Sequence, residues 1–139
     1  MLFADTDAMG IVYYANYLRF FEVGRTAYVR TFGPEVTQAM ADGEKIYFPV
    51  TNLQCRYRRP ARVHDRLQVT VAFRDVRRAS FSFEYQIRRS SDGALLVEAE
   101  TDHTTIDGEG RILRFDERMK TFFERARATE PVAAPRDAT

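Results

Sequence analysis

The feature that most constrains the fold is a helical pattern from Asn16 to about Thr31 that is apolar around most of its circumference. Its polar positions recur every three or four residues and form one narrow stripe, made of Arg19, Glu22, Thr26 and Arg30. A helix with so narrow a polar stripe is surrounded by other elements rather than lying on a surface. Asn16 is a good N-cap residue, and Gly33 with Pro34 ends the pattern. Any fold for this chain must therefore enclose this helix.

Gly24 lies inside this helical pattern. Glycine in a helix interior costs about 1 kcal/mol relative to alanine. We therefore expect a neighbouring backbone to approach the helix closely at this position.

After a polar and partly helical stretch at 35–44, the pattern changes to the two-residue alternation of strands. The predicted strands cover 46–58, 66–76, 79–90 and 94–106. The apolar parity shifts within the first of these strands, which predicts a bulge near Asn52. Turns are predicted at 90–93, which reads Ser-Ser-Asp-Gly, and at Gly108–Gly110.

The last predicted helix covers about 116–128, and a frayed tail follows at 129–139. A chain of 139 residues is one domain, which we place at 1–128. A long apolar helix followed by four consecutive strands is best buried when the sheet curls around the helix. The prediction is an α+β domain.

Charge and cysteine content limit the function classes. The chain carries 21 basic and 20 acidic residues, so its net charge of +1 gives no bulk field that favours nucleic acid. No run is long and apolar enough for a membrane span, and the start lacks the pattern of a secretory signal. The single cysteine, Cys55, fits a reducing cytoplasm and is expected to fill core rather than act as a nucleophile. His64 and His103 lack metal-ligand spacing, so no metal is predicted.

Chemistry is concentrated between Asp5 and the start of the helix. Asp5 and Asp7 lie on a short turn, followed by Gly10. The first amides of a helix have no partners within it and carry partial positive charge. Such an end can polarise a carbonyl while a nearby carboxylate attacks it or activates water. The alternative is an Asx turn or a helix cap without catalytic function.

The same stretch carries a family resemblance. Residues 5–17 read DTDAMGIVYYANY and are followed by Phe20, Phe21 and Glu22. This motif resembles the hotdog-fold acyl-CoA thioesterases of the 4-hydroxybenzoyl-CoA thioesterase type. Supporting matches lie at 59–62 with Asp65, at 77–81 and at 83–88, so the likeness covers roughly residues 3–125. The strand before the motif, 1–4, is shorter than the family's usual first strand.

The resemblance implies a hotdog fold, in which an antiparallel sheet curls around one long central helix, here with a C-terminal helix. It also implies an acyl-CoA substrate, no cofactor, and a homodimer or homotetramer with active sites at the subunit interface. Asp7 matches the catalytic acid, as nucleophile or general base, and the Tyr14 backbone N–H matches the amide that polarises the thioester carbonyl. Gly10 would let backbone and substrate approach each other.

The substrate-binding residues are also implied by the resemblance. Glu22 lies where hydroxybenzoyl-CoA enzymes carry an aspartate that recognises the ring hydroxyl, and Asn16 belongs to the same motif. Arg77, Arg78 and Ser80 match the family's basic pair and serine, which suits the phosphates of CoA. The alternative for Glu22 is a surface ion pair with Arg19 or Arg25.

Two other functions remain open. A non-catalytic acyl-CoA-binding protein would use the same pocket. A hotdog hydratase or dehydratase would need a histidine shortly after Asp7, but the first histidine after it is His64. That spacing argues against dehydration.

Overall fold

The computed structural model describes residues 14–127 together with Val132 and Ala133. The first strand, Asp7 and Gly10 lie outside the described residues. The helices are α1 (Tyr17–Phe32), α2 (Pro34–Ala41) and α3 (Glu117–Arg127). The strands are β1 (Val50–Tyr57), β2 (Leu67–Arg74), β3 (Ser80–Arg89), β4 (Leu95–Thr104) and β5 (Val132–Ala133). The long helix, the four predicted strands and the last helix are confirmed.

The start of α1 differs from the expected cap. A 3₁₀ turn over Tyr14–Asn16 runs directly into α1. Asn16 already has helical torsion angles, and within the described part of the chain its side chain makes no capping hydrogen bond. Asn16 therefore holds the predicted N-cap position directly before α1, but the 3₁₀ turn takes the place of a side-chain cap.

The end of α1 leads straight into α2. The Gly33 N–H donates to the Val29 carbonyl at 2.7 Å, and Pro34 is the first residue of α2. Proline is tolerated at that position because its missing N–H has no helical partner there. Pro34 thus ends one helix, as predicted, and begins the next.

The sheet is antiparallel, in the order β1-β4-β3-β2-β5. Its register shifts between Val50 and Asn52, which confirms the predicted bulge. Gly93 and Gly110 adopt positive φ of 72° and 82° in the two predicted turns. Among the described strands, β1 pairs with β4 alone and therefore lies at one edge of the sheet.

Helix α1 crosses the inner face of the sheet. Phe21 stacks on Tyr85 of β3 at 4.7 Å between ring centroids, and Tyr28 contacts Phe83 at 5.6 Å. Tyr17 contacts Tyr57 at the end of β1. The N-terminal end of α1 therefore lies at the Tyr57 end of the sheet, and its C-terminal end lies beside the start of β3.

Gly24 lies where α1 meets β2. A Cβ added there would lie 2.9 Å from Val71 Cγ2 and 3.1 Å from Val69 Cγ1. The predicted close approach exists, but strand side chains make it rather than a neighbouring backbone.

The C-terminal elements close the opposite end of α1. Phe122 of α3 packs against Tyr28 of α1. Val132 and Ala133 pair with Val71 and Thr70 of β2, so these two residues differ from the free tail expected at 129–139. The rest of that tail lies outside the described residues.

Strand β1 is exposed along almost its whole length. Leu53 and Tyr57, which are 39% and 47% exposed, share the inner face of the sheet with the core residues of β4. Among residues 14–127, no helix is long and apolar enough to cross a membrane. The architecture is α+β with a sheet around a central helix, which confirms the hotdog prediction.

Candidate active site

The start of α1 is anchored by Tyr17. This side chain is 2% exposed, and its hydroxyl accepts a hydrogen bond from the Ala61 N–H at 3.2 Å. Burial raises the pKa of Tyr17, so the hydroxyl stays neutral. The contact holds the helix start against the 58–62 segment, which fixes the direction of the first amides.

Tyr14 is the first residue of the 3₁₀ turn that leads into α1. This is the position that its backbone N–H would need in order to polarise a thioester carbonyl. Amides in a first helical turn lack partners within the helix and point out along its axis. The structure does not describe the Tyr14 side chain, Asp7 or Gly10. The predicted catalytic carboxylate is therefore not placed relative to this amide.

Arg77, Arg78 and Ser80 lie at the other end of the sheet. Ser80 opens β3 and pairs with Thr104, whereas Ile87 pairs with Val97 beside the Tyr57 end. Seven residues of strand separate the two levels, about 23 Å. Within one protomer, these three residues are not brought together with the start of α1.

A basic groove surrounds Arg77 and Arg78. Its volume is about 520 Å³, and Arg114 and Lys120 join the two arginines on its walls. Phe115 is half-buried and supplies part of an apolar wall. Glu124 also lines the groove, which therefore has four cationic side chains and one carboxylate, and this excess of positive charge suits a phosphorylated ligand.

Glu22 lies at the mouth of a different cavity, between α1, α2 and the sheet. The cavity has a volume of about 340 Å³. Its buried floor is formed by Val36, Phe81, Phe83, His103 and Phe122, and its exposed rim by Glu22, Thr26, Arg30 and Met40. Among the described residues, Glu22 and Arg25 form no salt bridge, so that alternative partner of Glu22 is wrong. Arg25 instead lines the cavity wall and binds Tyr85.

A directed hydrogen-bond chain runs behind this cavity. Arg25 Nη1 donates to Tyr85 Oη at 3.2 Å, Tyr85 Oη lies 2.7 Å from Thr101 Oγ1, and Thr101 Oγ1 lies 2.7 Å from His103 Nε2. His103 Nδ1 lies 3.0 Å from the Phe48 carbonyl. A carbonyl only accepts, so Nδ1 carries the hydrogen and Nε2 accepts from Thr101. Tyr85 then donates to Thr101, so the hydroxyl hydrogens of Tyr85 and Thr101 and the ring N–H of His103 each have an acceptor.

His103 is neutral in this chain. It is 1% exposed, and burial lowers its pKa to about 4. Arg25 lowers the pKa further, whereas the Phe48 carbonyl and Asp102 oppose the shift. The imidazole therefore serves as a fixed hydrogen-bond acceptor for Thr101 at neutral pH.

The chain as a whole matches a known family. Residues 1–136 match the model of the thioesterase-like superfamily. The chain belongs to the thioesterase-like superfamily. It is a hotdog-fold enzyme of the thioester hydrolase class.

Named relatives agree with this assignment. An acyl-CoA thioesterase of Haemophilus influenzae is 32% identical over 122 residues, covering 87% of this chain and 88% of the relative. A 1,4-dihydroxy-2-naphthoyl-CoA hydrolase of Thermosynechococcus vestitus is 32% identical, covering 73% of this chain and 68% of the relative. The structure of a DHNA-CoA thioesterase from Staphylococcus aureus superposes with a TM-score of 0.80 at 25% identity, covering 92% of this chain and 85% of that one.

The segment at 58–62 of this thioesterase, part of which carries the family resemblance, has a structural role. Arg58 pairs with Glu98 across β1 and β4 at 2.9 Å. The adjoining Ala61 carries the contact to Tyr17. Cys55 packs against the core, and burial raises the pKa of its thiol, in agreement with a core role. His64 is exposed.

Sequence reasoning missed Arg25, Tyr85, Thr101 and His103. The available signal was the parity of β4, where Thr101 and His103 fall on the same face as the apolar residues of β3. Polar side chains on an inward face need hydrogen-bond partners. Their partners lie on α1 and β3, which sequence spacing does not reveal.

Proposed function

We propose that this thioesterase hydrolyses an acyl-CoA to the free carboxylate and CoA. The match to the thioesterase-like superfamily over residues 1–136 is the main support. The names of the Haemophilus and Thermosynechococcus relatives both specify CoA thioesters. The DTD motif and the helical start at Tyr14 supply the matching chemistry.

Asp7 is the proposed catalytic carboxylate. As a general base, it takes a proton from water, whose oxygen attacks the thioester carbon while the C–S bond breaks and the thiolate takes a proton. As a nucleophile, it forms a mixed anhydride and releases the thiol, and water then cleaves the anhydride. In either route the Tyr14 N–H stabilises negative charge on the carbonyl oxygen, and Gly10 leaves space for the approach.

Arg77, Arg78 and Ser80 are the proposed CoA-binding residues. Arg77 and Arg78 line the basic groove, whose excess of positive charge suits phosphates, and Ser80 lies nearby at the start of β3. They lie about 23 Å from the level of the α1 start in the same protomer. We therefore propose a homodimer or homotetramer in which the CoA arm bound at one subunit's helix reaches the partner's basic groove.

Glu22 and Asn16 are proposed to contact the acyl side of the substrate. Glu22 lies at the rim of the cavity beside α1, and Asn16 lies in the turn that opens the helix. The single, half-buried Cys55 is the basis for a proposed cytoplasmic location.

The direct test is release of free thiol from a panel of short, long and aromatic acyl-CoAs, followed with a thiol-reactive dye. We expect turnover of at least one acyl-CoA. Absence of turnover across the panel, with the protein folded and acyl-CoA still bound, would favour the binding-protein alternative. Asp7→Asn separates the two functions, because binding should survive this change and hydrolysis should not.

The basic groove has its own kinetic test. Replacing both Arg77 and Arg78 with alanine should raise KM more than it lowers kcat, because phosphate contacts stabilise substrate and transition state alike. Arg111→Ala is the matched control, since this exposed arginine pairs with Glu109 outside the groove. An unchanged KM in the double variant would remove the pair from the CoA site.

A further inference from the structure

The proposed hydrolysis leaves open which acyl groups fit this enzyme. We propose that Arg25 determines specificity by binding an oxygen at the far end of the acyl group, which occupies the cavity between α1, α2 and the sheet. The inference rests on the proposed acyl-CoA thioesterase activity. The oxygen is a hydroxyl or a carboxylate.

The cavity has the size and lining of an acyl pocket. Its volume of about 340 Å³ is roughly twice that of a cavity of about 150 Å³ that holds benzene. Three buried phenylalanines, Phe81, Phe83 and Phe122, form most of its floor. Such a floor favours an apolar chain, and the polar rim faces the ends of the ligand.

Arg25 is a polar group on the cavity wall whose donors have only one acceptor among the described residues. Its half-buried guanidinium has five N–H donors, of which one hydrogen bond goes to Tyr85. No carboxylate in the described part of the chain pairs with it, although Glu22 lies one turn earlier on the same helix. Because Arg25 is only half-buried, water reaches its remaining donors in the free protein, and a ligand that displaces this water must supply an acceptor in its place. An oxygen on the ligand would be that acceptor.

The buried hydrogen-bond chain fixes Arg25 in this position. Tyr85 donates to Thr101, which leaves the Tyr85 oxygen to accept from Arg25. Thr101 in turn donates to His103 Nε2, and His103 Nδ1 donates to the Phe48 carbonyl. Tyr85, Thr101 and His103 are each at most 2% exposed, so water does not compete for these bonds. A guanidinium held this way loses little conformational freedom on binding ligand.

The distance from the Tyr14 amide sets the length of the acyl group. Arg25 lines the cavity and reaches back to Tyr85, whose ring stacks on Phe21, so the guanidinium lies between the levels of Phe21 and Arg25. The nearer of these two levels is about 10 Å along the helix axis from Tyr14. An extended chain advances about 1.2 Å per bond, so the oxygen lies at least about eight bonds from the thioester carbon.

The charges at the rim favour an oxygen-bearing end over a methyl end. Glu22 is negative, whereas Arg25 and Arg30 are positive, so the cavity mouth carries one excess positive charge. A carboxylate gains from that excess, and a hydroxyl can accept from Arg25 and donate to Glu22. A methyl end would leave the Arg25 donors unpaired.

The test uses three CoA thioesters of equal chain length: decanoyl-CoA, 10-hydroxydecanoyl-CoA and the monothioester of the ten-carbon dicarboxylic acid. For the native enzyme we expect kcat/KM for at least one oxygenated substrate to exceed that for decanoyl-CoA by about tenfold or more. Arg25→Met should reduce the ratio of kcat/KM for the oxygenated substrate to that for decanoyl-CoA to about threefold or less. Arg19→Met, on the same helix but away from the cavity, should keep the native ratio.

A second variant tests the hydrogen-bond chain. Tyr85→Phe removes the acceptor that holds Arg25 and should give a ratio between the native and Arg25→Met values, with thermal unfolding checking that the fold persists. Equal kcat/KM for all three substrates in the native enzyme, or an unchanged ratio in Arg25→Met, would overturn the inference while leaving hydrolysis intact. No turnover of any acyl-CoA in the wider panel would instead remove the proposed function.

Discussion

His103 shows how burial fixes the chemistry of a single side chain. The imidazole stacks on Phe81 at 5.3 Å between ring centroids, and both of its ring nitrogens make hydrogen bonds. Its folded-state pKa of about 4 lies below the ordinary value of 6.5. Between these values the unfolded chain binds the proton more readily than the folded one.

Stability should therefore fall as the pH drops from about 6.5 toward 4. The His103 contribution predicts a loss of about 2 kcal/mol in the free energy of unfolding between pH 7 and pH 5. Urea denaturation at the two values measures it. His103→Gln should lose less over this interval than the native enzyme, whereas the exposed His64→Gln should lose as much. Equal losses in the native enzyme and His103→Gln would contradict the shift.

Individual site residues were predictable to different extents. The DTD motif and Glu22 stay predictions, which the sequence offers because they belong to one contiguous stretch that resembles the family's motif. Arg25 was considered only as a partner of Glu22. Its actual partner, Tyr85, is 60 residues away and reaches it through the curl of the sheet. No local pattern in the sequence encodes that contact.

At the level of elements, the packing of α1 on β2 depends on the absence of a side chain at Gly24. The two valines of β2 occupy the space that a Cβ would need. The helix is thereby held close to the sheet, and its first turn keeps its alignment with the 58–62 segment.

Gly24→Ala should destabilise the protein even though alanine is the better helix former. Overpacking against Val69 and Val71 costs about 1–3 kcal/mol, and the gain in helix propensity offsets about 1 kcal/mol of it. Urea denaturation measures the net change. In a double-mutant cycle, Val71→Ala should relieve part of the Gly24→Ala cost. A Gly24→Ala protein as stable as the native one would show that β2 can shift without penalty.

The period of the hydrophobic residues predicted whether each element is a helix or a strand. It did not always predict where the element begins or ends. The four strands alternate with a two-residue period and were predicted to within a few residues at each end. Asn16 carried a capping signal that the preceding 3₁₀ turn overrides. The pairing of Val132 and Ala133 with β2 could not be predicted, because it depends on where the end of α3 lies relative to β2.

At the level of the whole molecule, two features support the proposed homo-oligomer: the exposed strand β1 at the edge of the described sheet, and the separation of the proposed site residues. Leu53 and Tyr57 leave apolar surface on the inner face beside the start of α1. The basic groove lies at the far end of the sheet. A second subunit would cover this apolar surface and bring its own basic groove toward the start of α1, as we propose for the homo-oligomer.

Leu53→Arg should shift the protein toward monomer and lower its activity, because a charge on this face opposes apolar contact with a second copy. Size-exclusion chromatography with light scattering measures the mass. Ile112→Arg is the matched control, since Ile112 is 69% exposed outside β1. A native protein that is monomeric and fully active would contradict the shared site.

The most direct test of the central claim is kcat/KM for the best acyl-CoA in Asp7→Asn compared with Asp5→Asn. If Asp7 attacks the thioester or activates water, its loss should lower kcat/KM by about a hundredfold or more, since positioned acid–base groups contribute about 10²–10⁴-fold. Asp5→Asn, which alters the neighbouring acid of the same turn, should remain within about tenfold of the native enzyme. A folded Asp7→Asn enzyme with native kcat/KM would contradict the assignment of this carboxylate.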